Sequence, residues 1–212
     1  MRALTGTSGK LSGMSLPQTP SIGPLRLLEQ WLEDARAADI PQPDAIALAT
    51  VGEDGQPSTR IVQLKRVEAD ALVFTSALWT RKAREIAANP RVSLLAYWPT
   101  LGRQLHATGE ARVAERSLAD ELFAGRELSR QLQAIVSRQG EPIEDLEELR
   151  DRHAHLMEVT ELAPECPPDW GAIRIVPNLL EFWSESEDRM HDRLLYERDA
   201  IGESWRHTRI AP

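Results

Sequence analysis

One cysteine stands among 212 residues, Cys166. That excludes an intrachain disulfide and a cysteine cluster for a metal, and its place between Pro164 and Pro167 reads as a bystander thiol. No apolar run approaches membrane-spanning length, and the N-terminus lacks the hydrophobic stretch of a signal peptide, so a cytoplasmic protein is expected. Positive charge is in deficit: 25 Lys and Arg against 33 Asp and Glu leave a net −8. That balance speaks against generic binding to nucleic acid or to a membrane surface. There is no glycine-rich phosphate loop and no internal repeat. The histidines lack ligand spacing: His153 and His155 are two apart on a predicted helix, and His106 and His207 have no spaced partner. No metal is expected.

What remains is ordinary for a globular chain, 42% hydrophobic and 27% charged, and its length suits one domain. Any anion site must be a local basic island in an acidic protein, which fits a small phosphorylated ligand. Residues 1–22, rich in Ser, Thr, Gly and Pro without a hydrophobic period, read as a mobile arm, and 23–212 as the folded domain. Leu25, Leu28, Trp31 and Leu32 predict an amphipathic helix after Pro24. Strands are predicted over 45–51, 60–65, 72–74, 91–98 and 103–113, and a helix from Arg81 to Asn89-Pro90. A meander of five or six strands in this first half closes naturally into a small barrel. Helical patterns over 118–136 and 143–162 follow, then strands over 172–176, 179–183, 193–196 and 205–210. The plan is α+β. A small barrel filled by its own side chains leaves a large ligand on the outer surface, or in a groove shared with a second subunit.

Two stretches carry chemistry. In the first, RIVQLKRVEADALVFTSALWTRK, Arg60 and Lys65 bracket an apolar run, Thr75 and Ser76 end the next, and Arg81-Lys82 open a helix. Two cations in a helical first turn oppose the helix dipole. A phosphate held there by free N–H groups and hydroxyls reverses that penalty; solvated surface cations are the alternative. In the second, EFWSESEDRMHDR, Arg189, His191 and Arg193 are spaced by two, which on an extended segment puts all three on one face. They await an anionic or π-rich ligand beside Trp183, or else form a salt-bridged strand with Glu185, Glu187, Asp188 and Asp192.

Taken together, RIVQLK, WTRKAREIAANPRVSLL, GRQLHATGE, SRQ, EFW followed by RMHDR, and a final RIAP resemble the pyridoxamine 5′-phosphate oxidase family. Its members are FMN-dependent split-barrel flavoproteins that act as homodimers. The resemblance spans roughly residues 25–212 and implies an FMN-binding split β-barrel with peripheral helices. It implies that Arg60, Ile61, Val62, Gln63, Leu64 and Lys65 line FMN. By the same resemblance Thr75, Ser76, Arg81 and Lys82 hold the phosphate and ribityl chain, and Gln104 bonds the flavin ring. Gln139, Trp183 and Arg193 also lie at the FMN, some from the second subunit, and Arg189 and His191 face the substrate as its catalytic pair.

The departures bear on substrate. Where vitamin B6 oxidases grip the substrate phosphate with a lysine, a tyrosine, an arginine and a serine, this chain keeps Lys65 and Arg126 but has Leu122 and Arg130. Losing a phenol and gaining a guanidinium reshapes the pocket while still suiting an anion, and a planar carboxylate fits an arginine fork. With Ser137-Arg138-Gln139 kept, the pattern looks more like the phenazine-biosynthesis branch, which uses FMN and O2 to desaturate reduced phenazine carboxylic acids. A pyridoxine or pyridoxamine 5′-phosphate oxidase is the alternative, and a non-catalytic FMN-binding split barrel is the alternative of another class.

Overall fold

The computed structural model describes residue 16, residues 21–200 and residues 202–212. The expected mobile arm over 1–22 therefore lies mostly outside the described residues; Leu16, which is among them, is buried in the main core. Pro24 opens helix α1 (Pro24–Ala37), where its missing N–H costs nothing, and Leu25, Leu28, Trp31, Leu32 and Ala35 form its buried stripe. Trp31 meets Phe182 edge-on at 5.0 Å and Trp98 at 6.2 Å, which fixes α1 against the core.

Five strands follow with one helix between them: β1 (Ala45–Val51), β2 (Pro57–Val67), β3 (Leu72–Ala77), α2 (Arg81–Ala88), β4 (Arg91–Trp98) and β5 (Arg103–Val113). Helices α3 (Arg116–Ala124), α4 (Leu128–Val136) and α5 (Leu146–Val159) lead to strands β6 (Trp170–Ser184), β7 (Asp192–Glu197) and β8 (Arg206–Arg209). The order β3-β2-β1-β4-β5-β6, with β6 returning to β3, is a closed six-stranded antiparallel barrel, and β7 and β8 extend from β6. This α+β split barrel matches the expected class, but the first-half meander does not close by itself. Its free edges, β3 and β5, are joined only by β6, whose residues 170–175 pair with β3 while 173–184 pair with β5.

Two strands expected at 172–176 and 179–183 are thus one. Pro177 cannot donate to the ladder, and the register shifts opposite Thr108 and Gly109, so a bulge replaces the predicted break. Gly109 is required there, since a Cβ would lie 2.3 Å from the Val176 carbonyl oxygen. The helix expected over 118–136 is two, parted at Gly125–Glu127. Gln131, 1% exposed, turns back to donate to the Phe123 carbonyl at 2.9 Å and so satisfies an end carbonyl of α3. The predicted 143–162 helix is the shorter α5.

Burial explains how the barrel is dressed. Strand β3 is buried on both faces: Leu72 and Phe74 enter the barrel core, while Val73 packs outward with Leu118, Phe123 and Trp170 under α3. Strands β1 and β4 bury only alternate residues. On their outer face Leu95 and Tyr97 of β4 are exposed, as is Ile61 of β2.

Candidate functional site

A cleft of about 770 Å³ runs between the outer side of β2 and β3 and helices α3 and α4. Its floor is Arg60, Ile61, Val62, Gln63 and Lys65 of β2, with Thr75 and Ser76 at the end of β3; Lys82 of α2 closes one end, and Arg126, Arg130 and Gln139 line the helical side. The structure thus gathers eleven of the residues singled out by sequence. Leu64 is not one of them. Its side chain, like that of Val62, has the inward parity of the strand and sits in the barrel core, but unlike Val62 it does not line the cleft.

The α2 end is built for an anion. Thr80 occupies the N-cap position, yet its hydroxyl donates back to the Ala77 carbonyl at 2.8 Å and lies 3.0 Å from the Ser76 hydroxyl. It makes no side-chain cap to the helix, so the first-turn N–H groups remain available to a ligand. Lys82 reaches the Thr80 hydroxyl at 3.3 Å. Arg81 does not line the cleft; its Nε donates to Glu85 of the same helix at 2.7 Å. Glu85 escaped the sequence reading, although its spacing of four from Arg81 was the available signal. It is also the answer to the two cations at the helix start. Burial works to raise this carboxyl, but hydrogen bonds from Ser58, Thr50 and Arg81 outweigh burial and hold it at about 2.

The far end gathers Lys65, Arg126 and Arg130, with Glu121 and Glu127 on the same lining and Glu127 paired to Arg130 at 3.6 Å. Arg60 and Lys65 are five residues apart on β2, roughly 17 Å by strand rise, so they serve opposite ends. Lys65 faces Arg126 and Arg130, and Arg126 lies over the rings of Trp170 and Phe123 at 5.2 and 6.0 Å. Partial burial, then the neighbouring guanidiniums, pulls Lys65 below its ordinary value, and burial followed by Arg130 does the same to Arg126. Burial also lowers Lys82 and Arg60. By contrast Arg66, Arg138 and Arg206, outside the cleft, are each raised by a hydrogen-bonded carboxylate. Cations held in an unfavourable setting along one groove are what an anionic ligand relieves.

The loop carrying Gln139 is tied down from outside the cleft. Trp79, just before α2, donates its indole N–H to the Gln139 carbonyl at 3.2 Å, and its ring lies 4.1 Å from the Arg138 guanidinium carbon.

The remaining predicted residues form a second group. Gln104, Trp183 and Arg193 are register partners across β5, β6 and β7, and the His191 ring lies 4.8 Å from that of Trp183. None of them lines the cleft of the same chain. The expected extended run from Arg189 to Arg193 is corrected: β7 begins only at Asp192, and Arg189 sits in a turn with φ of 65°. Arg193 pairs across the strands with Glu181, at the start of the same stretch, at 2.7 Å. Among the described residues no group of acidic, histidine or cysteine side chains is arranged to hold a metal, and no helix is long and apolar enough to cross a membrane.

Residues 32–164 match the family model described as pyridoxamine 5′-phosphate oxidase, and residues 170–212 match the pyridoxine 5′-phosphate oxidase C-terminal dimerisation region. The chain belongs to the pyridoxamine 5′-phosphate oxidase family. A pyridoxine/pyridoxamine 5′-phosphate oxidase of Rubrobacter xylanophilus is 44% identical over 190 residues, covering 89% of this chain and 87% of that relative. One from Burkholderia lata is 38% identical, covering 89% of each. Among solved structures, PhzG from Burkholderia lata 383, crystallised with tetrahydrophenazine-1-carboxylic acid, is 34% identical with a TM-score of 0.88, covering 95% of this chain and 99% of that one. Family membership supports an oxidoreductase that uses a flavin, and the dimerisation region supports a homodimer.

Proposed function

We propose that this protein is an FMN-dependent oxidase that desaturates reduced, carboxylate-bearing phenazines with O2 as electron acceptor. The observation that carries this reading is the far end of the cleft. There Lys65, Arg126 and Arg130 stand together, and Leu122 offers an apolar wall where a phosphate-gripping hydroxyl would be needed. A planar carboxylate on an apolar ring system matches an arginine fork beside such a wall. The likeness to PhzG, whose crystals hold a tetrahydrophenazine carboxylic acid, adds support.

The residues present fit FMN. The uncapped N-terminus of α2, the Thr75 and Ser76 hydroxyls and Lys82 form a donor set for its phosphate, with Arg60 and Arg81 behind them. Gln63 and Gln139, with the backbone of β2, would hold the ring and ribityl chain. Once bound, the flavin supplies two-electron oxidation, with hydrogen peroxide as the product of O2. The protein orients, and the gain of aromaticity removes the need for a dedicated base. Arg126 and Arg130 grip the substrate anion, and Arg189 and His191 position the ring to be oxidised.

A second copy completes the site in this reading. Ile61, at the cleft's edge, is opposite Ala47, which is opposite Leu95; the neighbouring row runs from Tyr97 through Gln104 and Trp183 to Arg193. Among the described residues one exposed apolar face thus joins the cleft to the second residue group. Pairing two copies over it brings Gln104, Trp183, Arg189, His191 and Arg193 of each to the cleft of the other and buries the exposed Ile61, Leu95 and Tyr97. A cytoplasmic setting goes with this reading.

Vitamin B6 phosphate oxidation is the second reading, favoured by Lys65 and Arg126 in the cleft and by the names of the relatives. Oxygen uptake by FMN-loaded protein separates the two. Turnover of a reduced phenazine carboxylate without turnover of pyridoxine 5′-phosphate is expected; the reverse result overturns the phenazine reading. A flavin that no candidate substrate reduces anaerobically would point to a non-catalytic FMN binder.

A further inference from the structure

Glu85, in the second turn of α2, is 7% exposed, and both of its carboxylate oxygens are taken. Oε1 accepts from Arg81 Nε at 2.7 Å. Oε2 accepts from the Ser58 and Thr50 hydroxyls at 2.6 and 2.5 Å and from Arg60 Nη2 at 3.4 Å. Each hydroxyl has a single proton, and both protons are spent on this carboxylate. Their lone pairs are thereby turned toward Arg60, whose Nη1 donates to Thr50 and Nη2 to Ser58. Nη1 also donates to the Leu48 carbonyl at 3.1 Å. One carboxylate thus fixes two hydroxyls and, through them and directly, two guanidiniums drawn from a strand and a helix.

We propose that Glu85 is a positioning residue for the phosphate end of the cleft, holding Arg60 where it meets a phosphate monoester and Arg81 behind it in the first turn of α2. The inference rests on the reading of the cleft as an FMN site. Two physical effects oppose each other here. As a charge, Glu85 repels phosphate; as an anchor, it removes the rotamer freedom of two long side chains and the mutual repulsion of Arg60, Arg81 and Lys82 before the ligand arrives. Arg60 shows which effect prevails. Its guanidinium is engaged on both Nη atoms and only partly exposed, so without its acceptors it has nothing to hold it beside the cleft.

The test is a fluorescence titration of FMN and of riboflavin, which lacks the phosphate, into flavin-free wild-type, Glu85→Gln and Ser58→Ala proteins, with thermal melts alongside. Glutamine keeps the volume and one acceptor oxygen. Glu85→Gln is expected to weaken FMN about tenfold, the scale of one charge-assisted hydrogen bond, and to leave riboflavin within about twofold. Ser58→Ala should weaken FMN in the same direction by less. Tighter FMN binding in Glu85→Gln would mean that charge alone matters and overturns the proposal, as does an equal loss for both ligands, the mark of a merely structural role. If Glu85→Gln does not fold, Ser58→Ala decides, and an unchanged preference for FMN over riboflavin overturns the proposal. Wild-type protein that takes up no FMN overturns the cofactor reading together with this one, whereas a wild type that binds and variants that match it overturn this one alone.

Discussion

Arg126 lays its guanidinium 5.2 Å over the indole of Trp170 while its Nε is buried without a hydrogen-bond partner among the described residues. The ring fixes the cation in place without neutralising it. A carboxylate from the protein would have satisfied the Nε; instead the charged groups that bear on Arg126 include Arg130, itself paired with Glu127 at 3.6 Å, and Lys65. In the proposed reading the anionic group of a substrate meets this charge.

Arg126→Ala should therefore raise KM for an anionic substrate by about tenfold or more, since a charge-assisted pair is lost from a partly buried site, while FMN affinity at the other end of the groove is unchanged. Arg126→Lys restores charge but not the flat stacking on Trp170, and should recover only part of the loss. Steady-state kinetics beside a flavin titration make the check. A KM that does not move would remove Arg126 from the substrate site.

Specificity is expected to follow Leu122 and Arg130. The double variant Leu122→Tyr with Arg130→Ser supplies two hydroxyls that suit a phosphate monoester and withdraws a guanidinium that suits a carboxylate. It should gain turnover of pyridoxine 5′-phosphate and lose turnover of reduced phenazine carboxylates, each by about tenfold or more. Oxygen uptake with both substrates measures the exchange, and a double variant with wild-type preferences would show that selection lies elsewhere.

The Glu85 carboxylate makes acid stability predictable in sign. Its value falls from 4.5 when unfolded to about 2 when folded, so it contributes stability above pH 4.5 that is lost as the pH falls toward 2. At an ordinary exchange of 1.4 kcal/mol per pH unit the loss is up to about 3 kcal/mol. Urea melts across that window should show wild-type and Glu85→Gln proteins converging as the medium becomes more acid. A gap independent of pH would mean that the carboxyl binds its proton equally well folded and unfolded, so that these hydrogen bonds do not favour its charged form.

Local signals made most of this molecule legible in its sequence. Pro24 and Asn89-Pro90 mark element ends because backbone sterics act within a few residues. Arg60, Thr75, Ser76 and Lys82 gather at one end of the cleft because two adjacent strands feed one helix, while Lys65 serves the other end and Arg81 turns to Glu85. What failed was non-local. Nothing near Pro177 says that β6 must run on to join both free edges of the barrel, and nothing in 118–136 says that Gln131 will cap the helix before it. Leu64 was assigned to the cleft with its whole run, although strand alternation places its side chain inside. Spacing by two suggested one face for Arg189, His191 and Arg193, but a left-handed residue at 189 breaks the strand geometry on which that rule depends. Glu85 has one local signal, its spacing of four from Arg81; its other partners, Thr50, Ser58 and Arg60, lie 25 to 35 residues upstream.

The separation of Arg189 from the cleft of its own chain leads to a test of shared sites. If each site takes Lys82 from one copy and Arg189 from the other, Arg189→Ala and Lys82→Met each disable both sites of a homodimer, by different routes. Arg189→Ala should bind FMN with little turnover, whereas Lys82→Met should bind FMN poorly. In a mixed dimer the two lesions fall in one site and leave the other intact. Unfolding and refolding an equal mixture makes half the dimers mixed, so about a quarter of wild-type activity should return from two nearly inactive proteins. Sites built within one chain would carry one lesion each in the mixed dimer, and mixing would then restore nothing.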